Sequence, residues 1–244
     1  MRVYGYGSAS WSAFLLAGIM ACGMICLEGT ALAGPYEEGL DFFQAGHYRW
    51  ALEKFILAVD RAPQDAQRLW YLAESYRQLN DNPAASQVYR QILRTSPQSS
   101  YAVAARNALD SLGEPSLTTF QIPFQKRGTS VLLPAKVNGQ SVGFFILDTG
   151  ATYTTISRQV AGSLGITGGG SVTLSTASGV VQAPLALLDE VEVGGATALH
   201  VPAVVHDLPN APPALIGLLG LSFLERFRVN LDLTSGVLVL ESGQ

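Results

Sequence analysis

Phe144-Phe145-Ile146-Leu147-Asp148-Thr149-Gly150-Ala151 is the stretch on which the reading of this chain turns. Four apolar residues in succession suit a strand buried on both faces. A carboxylate delivered at the end of such a strand is costly to desolvate unless it has a use. Gly150 leaves room for the backbone to turn beside that carboxylate. Thr149 has a hydroxyl that can bond to backbone and lock the loop. Asp148 is therefore the candidate catalytic group, with Thr149, Gly150 and Ala151 as its supporting loop.

Working outward, Val131 to Val137 is strand-like, Asn138-Gly139 is a hairpin turn signal, and Ser141 to Leu147 returns as the second strand. Ser157 to Leu164 reads as a helix with Ser157 as its N-cap. Gly168-Gly169-Gly170 reads as a loop. It lacks the preceding buried strand and following helix of a phosphate cradle. Val172 to Val181 gives two β-runs around the small-residue tip Thr176-Ala177-Ser178-Gly179. Gly217-Leu218-Leu219-Gly220 precedes a short helix from Leu221 to Leu224, and two further runs, Arg226 to Leu233 and Gly236 to Leu240, form a closing hairpin. The span 118–244 is thus expected to be an all-β domain large enough for its own core.

This order of an Asp-Thr-Gly-Ala loop, a helix, a small-tipped hairpin and Leu-Leu-Gly resembles the bacterial members of the retroviral-like, retropepsin-type aspartic protease family, over about Thr118 to Leu240. The resemblance implies a retropepsin-like acid-protease barrel, obligate pairing of two chains, and hydrolysis of peptide bonds with water as nucleophile. It makes Thr176, Ala177, Ser178 and Gly179 the flap, and Leu218, Leu219 and Gly220 the segment that crosses behind the catalytic loop. Retroviral enzymes often follow the crossing glycine with arginine, whereas Leu221 stands here. The dimer contacts must then differ, and Glu225, Arg226 and Arg228 are candidates to replace them.

Asp148 heads the chain's one such loop, since Asp232-Leu233-Thr234-Ser235-Gly236 has an extra residue and follows a different strand pattern. Aspartic protease chemistry needs two carboxylates sharing one proton, one acting as base and the other as acid. The second Asp148 must come from a symmetric partner, which predicts a homodimer active at acid pH.

The span 34–112 carries a different period. Gly39, Phe42, Ala51, Phe55 and Pro63 recur 34 residues later as Ala73, Tyr76, Ala85, Tyr89 and Pro97. That spacing of small, aromatic, small, aromatic and Pro is the tetratricopeptide signature of paired helices. Gly46 and Asn80 fall at the turns between helices, and Ser99 to Leu112 reads as a capping helix. Residues 113–117, around Gly113-Glu114-Pro115-Ser116, form the expected linker. The expected fold class is therefore multidomain α plus β, with helical repeats first and the β barrel second. The repeats offer a surface for a protein partner, so a catalytically silent retropepsin-like scaffold is the competing reading.

Before the repeats, Arg2, the charge-free run from Ala13 to Leu27 and the small-x-small site Ala31-Leu32-Ala33 follow in signal-peptide order, with cleavage expected between Ala33 and Gly34. The expected location is outside the cytoplasm, in the periplasm, and the alternative is an uncleaved membrane anchor. Cleavage would remove both cysteines, Cys22 and Cys26. The net charge of −4 carries no basic excess, which argues against a nucleic-acid partner. No Cys and His spacing suggests a metal site, and no cofactor is expected. Ser222 lacks a nucleophile elbow, and His200 and His206 read as structural. If the export reading holds, Edman sequencing of the exported protein begins at or next to Gly34. A product that retains Met1 leaves the anchor.

Overall fold

The computed structural model describes residues 33–113, 117–176 and 179–242. The expected leader up to Leu32, linker residues 114–116 and the tip residues Ala177 and Ser178 lie outside them. Among the described residues no helix is long and apolar enough to cross a membrane.

Five helices come first: α1 Pro35–Gln44, α2 Tyr48–Arg61, α3 Ala66–Gln78, α4 Asn82–Thr95 and α5 Ser100–Leu112. The 34-residue spacing has direct structural content. Gly46 (φ 77°) and Asn80 (φ 61°) both take the left-handed conformation at the turn inside each helix pair, one that glycine and asparagine adopt at least cost. Ala51, Phe55, Ala85 and Tyr89 are all fully buried in the seams. Gly39 is small because Phe55 fills its place: a Cβ there would lie 2.7 Å from the Phe55 ring. Asp65, Asp81 and Ser99 cap α3, α4 and α5 by accepting from backbone N–H groups of the first turn. The Tyr89 hydroxyl donates to the buried Glu74 carboxylate, which Arg77 also holds.

The β part follows as β1 Thr119–Pro123, β2 Gln125–Arg127, β3 Ser130–Val137, β4 Gln140–Leu147, β5 Thr154–Ile156, helix α6 Arg158–Ser163, β6 Gly170–Thr176, β7 Gly179–Val193, β8 Ala196–Val205, β9 Leu215–Leu219, helix α7 Leu221–Leu224, β10 Phe227–Asp232 and β11 Val237–Ser242. Eight strands run in the order β2-β3-β4-β9-β5-β8-β7-β6, and a further β3–β7 pairing closes the sheet on itself. A separate three-stranded sheet, β1-β11-β10, joins the two ends of this part. The β3–β4 turn places Asn138 (φ 50°) and Gly139 (φ 76°) both in the left-handed region, the type I′ geometry that matches strand twist. Phe145, Leu133, Leu188, Leu219 and Phe223 anchor the barrel core.

The helical and β parts form one compact unit, Ala33–Gln244. The helical core continues into Val172, Ala183, Leu185, Leu187 and Val204 on β6, β7 and β8. Alternation along β7 explains this. Ala186 and Leu188 face the barrel core, while Leu185 and Leu187 face the helices. The glycine run 168–170 lies at this contact. A Cβ on Gly169 would lie 2.5 Å from Glu53 Oε2, and one on Gly170 would lie 2.5 Å from Leu57 Cδ1. Gly168 and Gly169 lie in the loop expected there, just before β6, and Gly169 and Gly170 also give the clearance that lets α2 sit against β6. Burial pushes the Glu53 carboxyl above its ordinary range, against the opposing pull of Arg49 and Lys54.

Because Ala85 is fully enclosed, Ala85→Glu places an unpaired charge in the repeat seam. It should cost about 3 kcal/mol or more, read as a lower urea midpoint. The shared core further predicts that helical and β signals melt together in that variant.

Candidate active site

Strand β4 carries the chain into the loop 148–153, and β9 runs parallel beside it, with Leu147 opposite Leu219. On the other side of β9, β5 pairs antiparallel, with Thr155 opposite Leu218. The strand entering the loop and the strand leaving it thus flank the crossing segment. Asp148 N–H donates to Leu219 O at 3.1 Å, and Leu221 N–H donates to Ala151 O at 2.8 Å. The loop is held from below by the backbone of Leu219 to Ser222.

This crossing requires glycine. A Cβ on Gly217 would lie 1.7 Å from Thr155 O, and one on Gly220 would lie 2.4 Å from Tyr153 O and 2.8 Å from Ala151 O. Both positions admit only a hydrogen. Ser222 completes the support. Its hydroxyl accepts from Thr154 N–H at 2.8 Å and lies 3.1 Å from the Thr154 hydroxyl.

Asp148 itself is half-buried. Gly150 N–H donates to Asp148 Oδ1 at 2.9 Å, which fixes the carboxylate. Among the described residues Oδ2 has no partner, so it is free to act on a bound molecule. Thr149 and Gly150 are exposed at the loop tip. Phe144 and Ile146 share one face of β4, opposite the buried Phe145. They line a recess of about 460 Å³ together with Leu132, Leu215 and the cationic edge of Lys126 and Arg127.

The expected flap is the β6–β7 hairpin, paired from Gly170↔Leu185 to Thr176↔Gly179. The Thr176 hydroxyl donates to Gly179 O at 2.8 Å, and Gly179 has φ 122°. Val180 is 71% exposed next to the tip, an apolar side chain with room for a guest. Ala33 and Gly34, the expected cleavage pair, lie just before α1.

Several residues belong to a contact that the sequence reading did not find. Tyr153, which ends the loop, donates its hydroxyl to Asp60 Oδ1 on α2 at 2.9 Å. Burial raises its pKa far above the ordinary tyrosine range, and the Asp60 charge adds to that, so it remains a neutral donor. Arg226, expected at a dimer surface, is instead 8% exposed. Its guanidinium lies 4.9 Å from the Tyr76 ring centre, and Nη1 is 3.6 Å from Asp81 Oδ1. Helix α7, Leu221–Leu224, follows Gly220, and Arg226 just beyond it turns toward Tyr76 and Asp81 and not outward. Burial pushes the Tyr76 hydroxyl up to about 12, opposed by the Arg226 charge. His200 Nδ1 also faces Asp81, at 3.6 Å. Glu225 and Arg228 remain at the surface, Arg228 within 3.8 Å of Glu241. Asp232 turns the β10–β11 hairpin by accepting from Thr234 and Ser235 N–H groups, and the Ser235 hydroxyl, with these N–H groups, holds its carboxyl below the ordinary range. No group of histidines, cysteines and carboxylates suited to a metal occurs among the described residues.

Residues 133–226 match the family model described as "gag-polyprotein putative aspartyl protease". The match begins in β3 and ends at Arg226, so it spans the loop, the hairpin and the crossing segment. Among solved structures, the chain is similar to a retropepsin-like aspartic protease from Rickettsia conorii, with 25% sequence identity over 53% of this chain and 97% of that one, at a TM-score of 0.40. No curated protein matches.

Gly220→Ala tests the crossing. The added methyl would meet two carbonyl oxygens, so the loop must move. The expected outcome is a loss of at least tenfold in any hydrolytic activity, with a lowered melting temperature. A variant that melts and acts like the parent would show that the crossing is looser than its geometry.

Proposed function

We propose that this chain, whose β-rich part is a retropepsin-like aspartic protease domain, is an endopeptidase that works as a homodimer. The observation that carries the reading is the fixed, half-buried Asp148 at the end of β4, one oxygen held by Gly150 N–H and the other open. One such carboxylate per chain makes half of a site.

In the paired enzyme two Asp148 carboxyl groups share one proton, because like charges at such a distance do not both ionise. The ionised one takes a proton from the water between them as its oxygen attacks the peptide carbonyl carbon. The protonated one gives its proton to the carbonyl oxygen. The tetrahedral intermediate then collapses, the C–N bond breaks, and a proton passes to the departing amine. The substrate lies extended beneath the β6–β7 hairpin, with backbone bonds to it and alternate side chains in pockets. The apolar recess at Phe144 and Ile146 suits an apolar side chain beside the cut bond.

We read 34–112 as tetratricopeptide-like repeats that travel with the enzyme, and 118–244 as the protease domain. The leader-type sequence supports an exported, periplasmic enzyme, with membrane anchoring as the alternative. A silent scaffold whose repeats bind a protein partner is the second reading. The contacts of Tyr153 and Arg226 with the repeats favour it in one respect, since they bind the two parts into a single surface.

Mixing separates the readings. Only pairs are competent, so specific activity should fall on dilution below the dimer dissociation constant. Asp148→Asn keeps the shape and removes the acid-base group. A tenfold excess of this variant should draw wild-type chains into mixed pairs and cut activity to about one tenth. Activity strictly proportional to wild-type concentration, unchanged by the added variant, would rule out the shared site.

A further inference from the structure

A cleft of about 1590 Å³ opens between the helices and the β part. One end is the catalytic loop, through Thr149 and Thr152. The opposite wall is α4, and the floor reaches Val229 on β10. The volume exceeds that of ordinary small-molecule pockets, which run to roughly 1,000 Å³. It suits a stretch of polypeptide.

The walls say which kind. Gln87, Arg90 and Arg94 follow one another along one face of α4, at the spacing of successive turns. Among the described residues Arg90 and Arg94 have no ion-pair or hydrogen-bond partner. The other charged groups in the cleft are mostly committed. Asp60 is held by Tyr153, and Arg226 is turned into Tyr76 and Asp81. Asp110 and Glu225 stand on other elements, α5 and the end of α7. The α4 wall is therefore a row of amide and guanidinium donors, and guanidinium prefers carboxylate. Strand β10 adds a second means of binding. It is the edge of its sheet, paired only with β11, so its outer backbone groups are open to an extended chain.

We propose that this cleft holds the flank of the substrate polypeptide beyond the cut bond, an extended segment carrying carboxylates that face Arg90 and Arg94. The proposal rests on the protease reading. Continuity with the catalytic loop is what selects a substrate flank over an unrelated protein: a chain leaving Asp148 past Thr149 and Thr152 enters the cleft directly. The helical repeats would then choose the substrate by charge, at a distance from the chemistry.

The test uses the full chain carrying Asp148→Asn, so that bound peptide is not consumed. Three fluorescein-labelled dodecapeptides, alternating Ala with Glu, Gln or Lys, are titrated by anisotropy. The Glu peptide should bind at least tenfold more tightly than the Lys peptide, and salt should weaken it. Adding Arg90→Glu and Arg94→Glu should abolish or reverse that preference, with circular dichroism and the melting curve confirming the fold. Equal binding of the three peptides, or a preference that survives the reversal, overturns the proposal. So does a reversal that shifts only the monomer–dimer equilibrium in sedimentation, which would assign the cleft to a second copy. Hydrolysis by the wild-type chain is scored separately. Cleavage without charge preference keeps the protease and discards the cleft, and charge-selective binding with no cleavage of any peptide overturns the substrate-flank role and leaves the cleft as a site for acidic peptides alone.

Discussion

The backbone of Leu219 to Ser222 passing directly against the loop that carries Asp148 is the constraint on which the rest depends. Two glycines, Gly217 and Gly220, permit it, because neither has space for a methyl group against the carbonyls of Ala151, Tyr153 and Thr155. The approach turns a flexible loop into a fixed one. Asp148, Ala151 and Thr152 all take backbone bonds from or to the crossing segment. The carboxylate is then set by its own loop, through Gly150 N–H. Main-chain bonds, and not side chains, therefore set where the Asp148 carboxylate sits. Side chains remain free for the solvent face.

A second constraint comes from the helices. They cover β6, β7 and β8 with Leu57 and its neighbours, and the β strands give Leu185, Leu187 and Val204 to the helical core. Around this apolar contact stand polar ties of different worth. The Arg49–Asp189 pair is exposed, and such pairs contribute at most about 1 kcal/mol. Asp81 and Arg226 are buried, with the partly buried His200 beside them, so removing either of the pair leaves the other's charge poorly compensated. Asp81 also caps α4. One carboxylate thus starts a helix of the repeats and neutralises the arginine that follows the crossing segment.

Local patterns in the sequence carried much of this, and distant ones did not. The alternation of helix pairs every 34 residues reappears as two left-handed turns, Gly46 and Asn80, since the backbone at each turn needs the same conformation. The strands around Asn138-Gly139 and the serine cap of α6 were legible because each depends on residues a few places apart. Arg226 was not legible. Its partners, Tyr76 and Asp81, lie in another part of the chain, and nothing near it in sequence marks it as buried. Gly168 and Gly169 do lie in the loop that leads into β6, but the packing of Gly169 and Gly170 against α2 was not legible for a similar reason. Glycine reports a need for space without saying whether a turn or a neighbouring helix uses it. Tyr153 had no signal beyond its place after the loop.

Gly168, Gly169 and Gly170 also bear on how such a chain can change over time. Each is fitted to something outside its own strand, Gly169 to Glu53 and Gly170 to Leu57. A β part whose edge at Gly169 and Gly170 fits closely under a helix does not stand easily without that helix. It would be left with an apolar face of Val172, Ala183, Leu185 and Leu187 open to water, a patch of the kind that drives aggregation. The two parts look like interchangeable modules in the order of their elements, yet the contact between them works as a ratchet. Joining them needed only small residues and a few apolar ones, while separating them again would require rebuilding a surface at many positions at once.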